Sequence, residues 1–407
     1  MSFDPDAATA RLRNFFEPTP CAMNAHLSAK FGAEIWLKRE DLSPVRSYKL
    51  RGALNAMGKA IDAGARRFVC ASAGNHAQGV AWACAHHKVE GVIFMPVTTP
   101  DQKIEKTQIF GGENVSIRLV GDYFDDTLAE AQRFCAEEGA HFLAPFDDDD
   151  VIEGQASVAV ELLEQMPAPD VVVLPVGGGG LAAGMTRLLA ERLPDTQIVY
   201  VEPTGAASFA AAVKAGRPVR LEKTDGFVDG ASVAKIGDRP FAHLDQVRSR
   251  FVHDVPEDRL CGTMIEMLNL EGIVLEPAGA LSVDVLRDLK LDGRRVVCIT
   301  SGGNFDFERL PDVKERAQRF AGLKKYFILR MPQRPGALRD FLELLGPDDD
   351  IARFEYLKKS ARNFGSVLIG IETTDSANFP ALFARMEAQG LTWRDITGDP
   401  TLSDILV

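Results

Sequence analysis

Long apolar runs are missing from this chain: none approaches the ~20 residues a membrane-spanning helix needs, so no such helix is expected. Positive charge is in deficit, with 46 lysines and arginines against 58 aspartates and glutamates and a net charge of −12. Nucleic acid and anionic membranes call for a basic face, so neither is expected as a partner. Cysteine is scarce. The six (Cys21, Cys70, Cys84, Cys135, Cys261, Cys298) form no C-x-x-C pair, and no structural zinc site is visible. Cys70 and Cys298 lie inside apolar runs and read as buried free thiols of a reducing compartment. Met1 to Asp6 offers neither a basic start nor an apolar run. No signal peptide is expected, and the default location is the cytoplasm.

What is present is ordinary for a globular protein: 46% hydrophobic and 26% charged residues, and 407 positions, enough for two or three domains. Short apolar runs (35–38, 68–71, 92–95, 115–119, 142–144, 171–174, 198–201 and 296–299) alternate with helical patterns. Such alternation implies βαβ units and parallel sheets. The expected class is therefore α/β, with two lobes over residues 1–320, a smaller lobe at about 51–150, and a cleft between them. The tail, 325–407, changes to the order βαββαβ of an α+β ferredoxin-like module, after a charged helical linker at 314–325.

Lys49 stands between Tyr48 and a helix-forming run (Leu50, Ala53, Leu54, Ala56, Met57). Helix starts favour anions over cations. A lysine there has a reason if its amine is a Schiff-base nucleophile beside a bound phosphate; otherwise it is a solvated surface charge. Three apolar runs end directly in small residues that open helices: Ser72-Ala73-Gly74-Asn75-His76, Gly177-Gly178-Gly179-Gly180, and Ser301-Gly302-Gly303-Asn304. In open parallel sheets, ligands bind at these strand ends, and glycine lets the backbone approach an anion. The four-glycine run is the most specific of the three, against a flexible turn as its bland reading. Gly177-x-Gly179-x-x-Ala182 with Glu202 also fits a dinucleotide fingerprint, which would leave Lys49 without a role. No Gly-Lys-Ser/Thr follows, which excludes a triphosphate loop. Asp147 to Asp150 reads as a helix cap in preference to a metal site, and no metal is expected.

These segments, with Pro18-Thr19-Pro20, Leu37 to Asp41, Ser47 to Ala53 and Glu276-Pro277-Ala278-Gly279-Ala280, resemble in order the threonine dehydratases. The class is that of tryptophan-synthase-β-like (fold type II) pyridoxal-phosphate enzymes. The tail, through Arg334-Pro335-Gly336-Ala337-Leu338 and Arg353 to Lys359, resembles the single ACT-like regulatory domain of the short biosynthetic form. The resemblance implies deamination of L-threonine to 2-oxobutanoate, with L-serine as a second substrate. Related serine or hydroxyaspartate dehydratases, racemases and a non-catalytic amino-acid sensor remain as rivals. It implies Lys49 as the lysine that carries pyridoxal 5′-phosphate and takes the Cα proton, with Tyr48 beside the ring where phenylalanine is common. Asn75 is expected at the 3′ oxygen, Gly177, Gly178, Gly179, Gly180 and Leu181 at the phosphate, and Ser301 at the pyridine nitrogen. Ser72, Ala73, Gly74, Asn75 and His76 are expected to grip the substrate carboxylate, His76 having a local structural role as its alternative. Glu276 either lies near the ring or caps a helix, and Gly154-Gln155-Ala156-Ser157 departs from the family's Gly-Gln-Gly-Thr. Arg334, Gly336 and Leu338 mark an effector loop for isoleucine and valine, with a Pro-initiated helix cap as the alternative, and a homotetramer is expected.

Overall fold

The computed structural model describes residues 3–356 and 363–399; Met1, Ser2 and the Leu357-Lys358-Lys359 end of the tail motif lie outside the described residues. The chain divides into two compact units, Met1–Asp306 and Phe307–Val407.

In the first unit, β1 (Cys21–Met23), β2 (Glu34–Arg39), β7 (Val171–Pro175), β8 (Gln197–Pro203), β9 (Val252–Val255) and β10 (Arg295–Thr300) form one sheet in the order β1-β2-β10-β7-β8-β9. Only β1 runs antiparallel to its neighbour. A second, all-parallel sheet has the order β5-β4-β3-β6, from β3 (Arg67–Ala71), β4 (Glu90–Met95), β5 (Val115–Leu119) and β6 (His141–Phe142). The central strands are apolar on both faces (Val171, Val172, Val173, Val296, Val297, Ile299), as a parallel sheet covered by helices requires. β1 and β9 went unseen in the sequence because a short edge strand carries too few apolar residues to show a pattern.

The helix Lys49–Asp62 joins the lobes. It crosses the helix Asp149–Gln165 at Gly52 and Gly154, where a Cβ on Gly154 would lie 2.7 Å from the Arg51 carbonyl oxygen. The 154–157 stretch therefore serves helix packing: Gln155 Oε1 accepts the Gly52 N–H, and Ser157 Oγ accepts from Arg51. Behind this crossing lies a charged cluster fully removed from water. Arg51 donates to Glu40 (2.7 and 2.9 Å) and to Glu161 (2.7 and 2.8 Å), while Lys38 donates to Glu161 at 2.6 Å. Removing one member strands a partner in a dry interior.

The second unit carries one antiparallel sheet, β12-β13-β11-β14, built from β11 (Lys324–Pro332), β12 (Asp350–Tyr356), β13 (Phe364–Glu372) and β14 (Thr392–Asp395). Helices Ala337–Leu342 and Asn378–Ala388 complete the βαββαβ order, over a core of Phe327, Leu329, Val367, Ile369, Phe379 and Leu382. Residues 314–320, read as linker, belong to the helix Leu310–Phe320, whose Val313 and Glu315 are buried.

Arg51→Leu should destabilise the protein by about 3–5 kcal/mol, because Glu40 and Glu161 lose their partner in a dry site. Urea unfolding followed by circular dichroism measures this, and the double change Arg51→Leu with Glu161→Leu should recover part of the loss.

Candidate active site

The Lys49 stretch is held by the loop that follows β10. The Tyr48 N–H donates to the Ser301 carbonyl (3.1 Å), the Gly303 N–H to the Arg46 carbonyl (3.0 Å), and Asn304 Nδ2 to the Val45 carbonyl (2.8 Å). Ser43 Oγ adds a local lock, donating to the Ser47 carbonyl and accepting the Ser47 N–H, both at 2.9 Å. Arg46 adopts φ 56°, a left-handed backbone costly for a residue with a Cβ. This turn delivers Lys49 to the first position of its helix, where Nζ donates to the Pro145 carbonyl at 2.8 Å between the rings of Tyr48 and Phe146.

Lys49 opens onto a cavity of about 640 Å³. Of the expected residues, Tyr48, Ser72, Ala73, Gly74, Asn75, His76, Gly178 and Ser301 line it with Lys49. Gly177, Gly179, Gly180 and Leu181 continue the turn around Gly178 at the end of β7. The helix Gly180–Arg192 starts there with no side-chain cap, which leaves its first-turn N–H groups without intrahelical acceptors. Gly179 has φ +88°, and a Cβ on Gly178 would lie 2.2 Å from the Phe146 ring, so the run is also needed for close packing. Arg334, Gly336 and Leu338 lie in the second unit, where Arg334 pairs with Asp340 (2.6 Å) and Gly336 precedes a helix at φ +84°.

Loss of hydration governs the ionisation in the cavity. It draws the Lys49 amine down to about 8, with Glu276 opposing the shift, and so favours a neutral nucleophile. It raises the Glu276 carboxyl to about 8, aided by Asp229, which keeps that acid protonated at neutral pH. His76 is lowered to about 3, and its Nε2 is engaged with the Leu143 carbonyl at 2.9 Å. Glu276 makes no helix-capping bond; it accepts from Asn75 Nδ2 at 2.7 Å and sits where a Gly302 Cβ would otherwise lie.

Two other readings meet the structure directly. Asp148 caps the helix Asp149–Gln165 through the N–H groups of Asp150 and Val151 (both 2.9 Å), and Asp147 accepts the Arg239 N–H. Glu202 is buried and caps Phe209 and Ala210 (2.7 and 2.8 Å), so no ribose could reach it; the dinucleotide reading fails there. Sequence reasoning gave no role to Gln78 and passed over Phe146, Lys106 and most of the segment 229–238, all at the cavity. Only Asn304 carried a signal, as the last residue of a glycine-rich loop.

A half-buried amine of lowered basicity, hydrogen-bonded to a carbonyl in a cavity that Gly178 of the uncapped glycine turn also lines, fits an aldehyde that carries a phosphate. The comparisons agree. A family model described as pyridoxal-phosphate-dependent enzyme matches residues 12–302, and the chain belongs to that family. A second, described as the C-terminal regulatory domain of threonine dehydratase, matches residues 315–406. Within the family the chain stands with the biosynthetic threonine dehydratases. It is 45% identical over 395 residues to the biosynthetic L-threonine dehydratase of Bacillus subtilis, covering 96% of this chain and 93% of that one. The processed threonine deaminase isoform 2 of Solanum lycopersicum matches at TM-score 0.72 and 33% identity, over 77% of this chain and 93% of that one. Maize serine racemase matches at TM-score 0.70 and 26% identity, over 78% and 97%. The resemblance drawn from the motifs holds, as do the two-part fold class and the cofactor.

An acid whose folded pKa lies above its unfolded value holds its proton longer when folded, so stability falls as pH rises between the two. For Glu276 that window runs from its ordinary 4.5 to about 8. The cofactor-free protein should lose thermal stability across it, and Glu276→Gln should flatten the loss, as scanning calorimetry from pH 5 to 8 would measure.

Proposed function

We propose that this protein converts L-threonine to 2-oxobutanoate and ammonia by β-elimination of water, the first step of isoleucine biosynthesis, with pyridoxal 5′-phosphate as its cofactor. The observation that carries this is Lys49, an amine of lowered basicity at the wall of a cavity that also gathers Ser72–His76 and Ser301. When bound, pyridoxal phosphate supplies an aldehyde for amines and a ring that takes up electron density from Cα.

The chain's own residues do the rest. Ser72, Ala73, Gly74, Asn75 and His76 hold the substrate carboxylate at the start of the helix Asn75–His87, where N–H groups and the helix dipole favour an anion. Lys49 takes the Cα proton; at about 8, its basicity leaves a working fraction of neutral amine near physiological pH. Asn75 binds the ring oxygen, and the N–H groups of Gly177 to Leu181 hold the phosphate. Tyr48 packs beside the ring. Ser301 offers the pyridine nitrogen a neutral hydroxyl in place of a carboxylate, which keeps the ring a moderate electron sink and suits prompt elimination. L-Serine, one methyl smaller, is the second substrate. The racemase reading shares these atoms, but likeness to threonine dehydratases spans 96% of the chain and includes a regulatory-domain match at 315–406. The second unit makes the enzyme allosteric, with isoleucine inhibiting and valine opposing it through the loop of Arg334, Gly336 and Leu338. The working form is a cytoplasmic homotetramer.

With pyridoxal phosphate and threonine, the purified protein should form 2-oxobutanoate, and isoleucine should suppress the rate. Lys49→Ala should lower kcat by about three orders of magnitude or more. Full turnover by that variant, or a wild-type protein that takes up no cofactor, would refute the reading.

A further inference from the structure

Asn75 is the one polar side chain of its loop whose hydrogen bonds form a chain running away from the cavity. Its Oδ1 accepts from Asn304 Nδ2 at 2.7 Å, and its Nδ2 donates to Glu276 Oε1 at 2.7 Å. The chain has a fixed direction. The Val45 carbonyl can only accept, so the Asn304 group facing it at 2.8 Å must be the nitrogen. The Lys106 ammonium can only donate, and it meets Asn304 at Oδ1 (3.3 Å). With both ends of Asn304 determined, its remaining N–H faces Asn75, and the Asn75 group receiving it must be oxygen. The Asn75 nitrogen then faces Glu276, whose Oε1 accepts whether or not the acid holds a proton. One N–H of Asn75 is left unspent at the cavity wall.

We propose that Asn304 and Glu276 are positioning residues that lock the Asn75 carboxamide in one orientation, so that Asn75 meets the cofactor's ring oxygen as a hydrogen donor and never as an acceptor. This rests on the reading of Asn75 as the partner of that oxygen and adds what determines its polarity. The bonds at both ends explain why the lock holds, with Glu276 buried and Asn75 and Asn304 half-buried. A free asparagine amide turns over at little cost, but here a turned amide would set N–H against N–H at Asn304 and take from Glu276 Oε1 the N–H it now accepts, and polar groups left unpaired away from water are costly. Gly302 makes room: a Cβ there would lie 2.2 Å from Glu276 Oε1.

The test reads cofactor binding. Asn304→Asp keeps the side chain's shape and removes its N–H groups. The dissociation constant for pyridoxal phosphate should rise about tenfold, the equivalent of one hydrogen bond to a charged oxygen. The pH at which the bound cofactor's absorption band changes should move as well. Glu276→Leu, which takes the acceptor from Asn75 Nδ2, should do the same. Glu276→Gln, which still offers an oxygen, should bind within about twofold of wild type. Asn304→Asp and Glu276→Leu proteins with wild-type affinity and an unmoved titration would overturn the proposal. So would a Gln variant as impaired as the Leu variant. Should Asn304→Asp fail to fold, the Leu and Gln pair at Glu276 decides alone. Wild-type protein that binds the cofactor but makes no 2-oxobutanoate would sink the proposed function and leave this one standing.

Discussion

The short antiparallel contact between Val45–Tyr48 and Ser301–Asn304 is the constraint on which the cavity depends. Its three bonds, at 3.1, 3.0 and 2.8 Å, join the start of the Lys49 helix to the end of β10, two points more than 250 positions apart in the chain. Arg46 takes a left-handed backbone to make the turn, a cost of order 1–3 kcal/mol that only an over-determined surrounding can hold. The contact places the amine, the hydroxyl of Ser301 and the Asn304 amide on one wall. Lys49 is held from behind as well: Arg51, two residues along the same helix, anchors in the Glu40 and Glu161 carboxylates. Such buried pairs add little net stability, because desolvation nearly cancels attraction. What they do supply is a single allowed rotation and depth for the helix that carries the amine.

Much of this was legible, and for identifiable reasons. Parallel strands covered on both faces must be apolar runs, so β7 and β10 stand out, and the glycine-rich ends of the same strands point to the ligand side. The tail's change to βαββαβ was visible because its strands alternate and its helices are short. The failures are also physical. Phe146 has no motif: its role comes from packing on Gly178, a contact between distant loops. Glu202 looked like a ribose ligand because a carboxylate at a strand end serves equally as a helix cap, and spacing cannot separate the two. The four glycines were read as an anion site, with a flexible turn as the bland reading, and in neither as a packing surface. The structure adds a steric reason at Gly178, so a glycine run overstates the anion signal wherever an aromatic ring must pack on it.

Charge is distributed unevenly around the cavity, and the difference separates its floor from its rim. At the floor, dehydration draws the Lys49 amine down and the Glu276 carboxyl up, both to about 8, which favours the uncharged form of each. At the rim charged groups are paired across the cleft: Lys103 with Asp229 at 2.7 Å, and Arg220 with Asp125 at 3.0 Å. Lys103 and Asp125 come from the helices Asp101–Gly111 and Phe124–Glu138, which pack on the smaller sheet. Asp229 and Arg220 come from the irregular segment after the helix Ser208–Ala215. Exposed pairs of this kind contribute about 0–1 kcal/mol each. The rim is therefore easily parted, whereas the floor is locked by backbone hydrogen bonds and a dry ion cluster. An enzyme that must admit an amino acid and then hold it against one amine needs that asymmetry: a mouth whose opening costs little, above a wall whose geometry does not change when it opens.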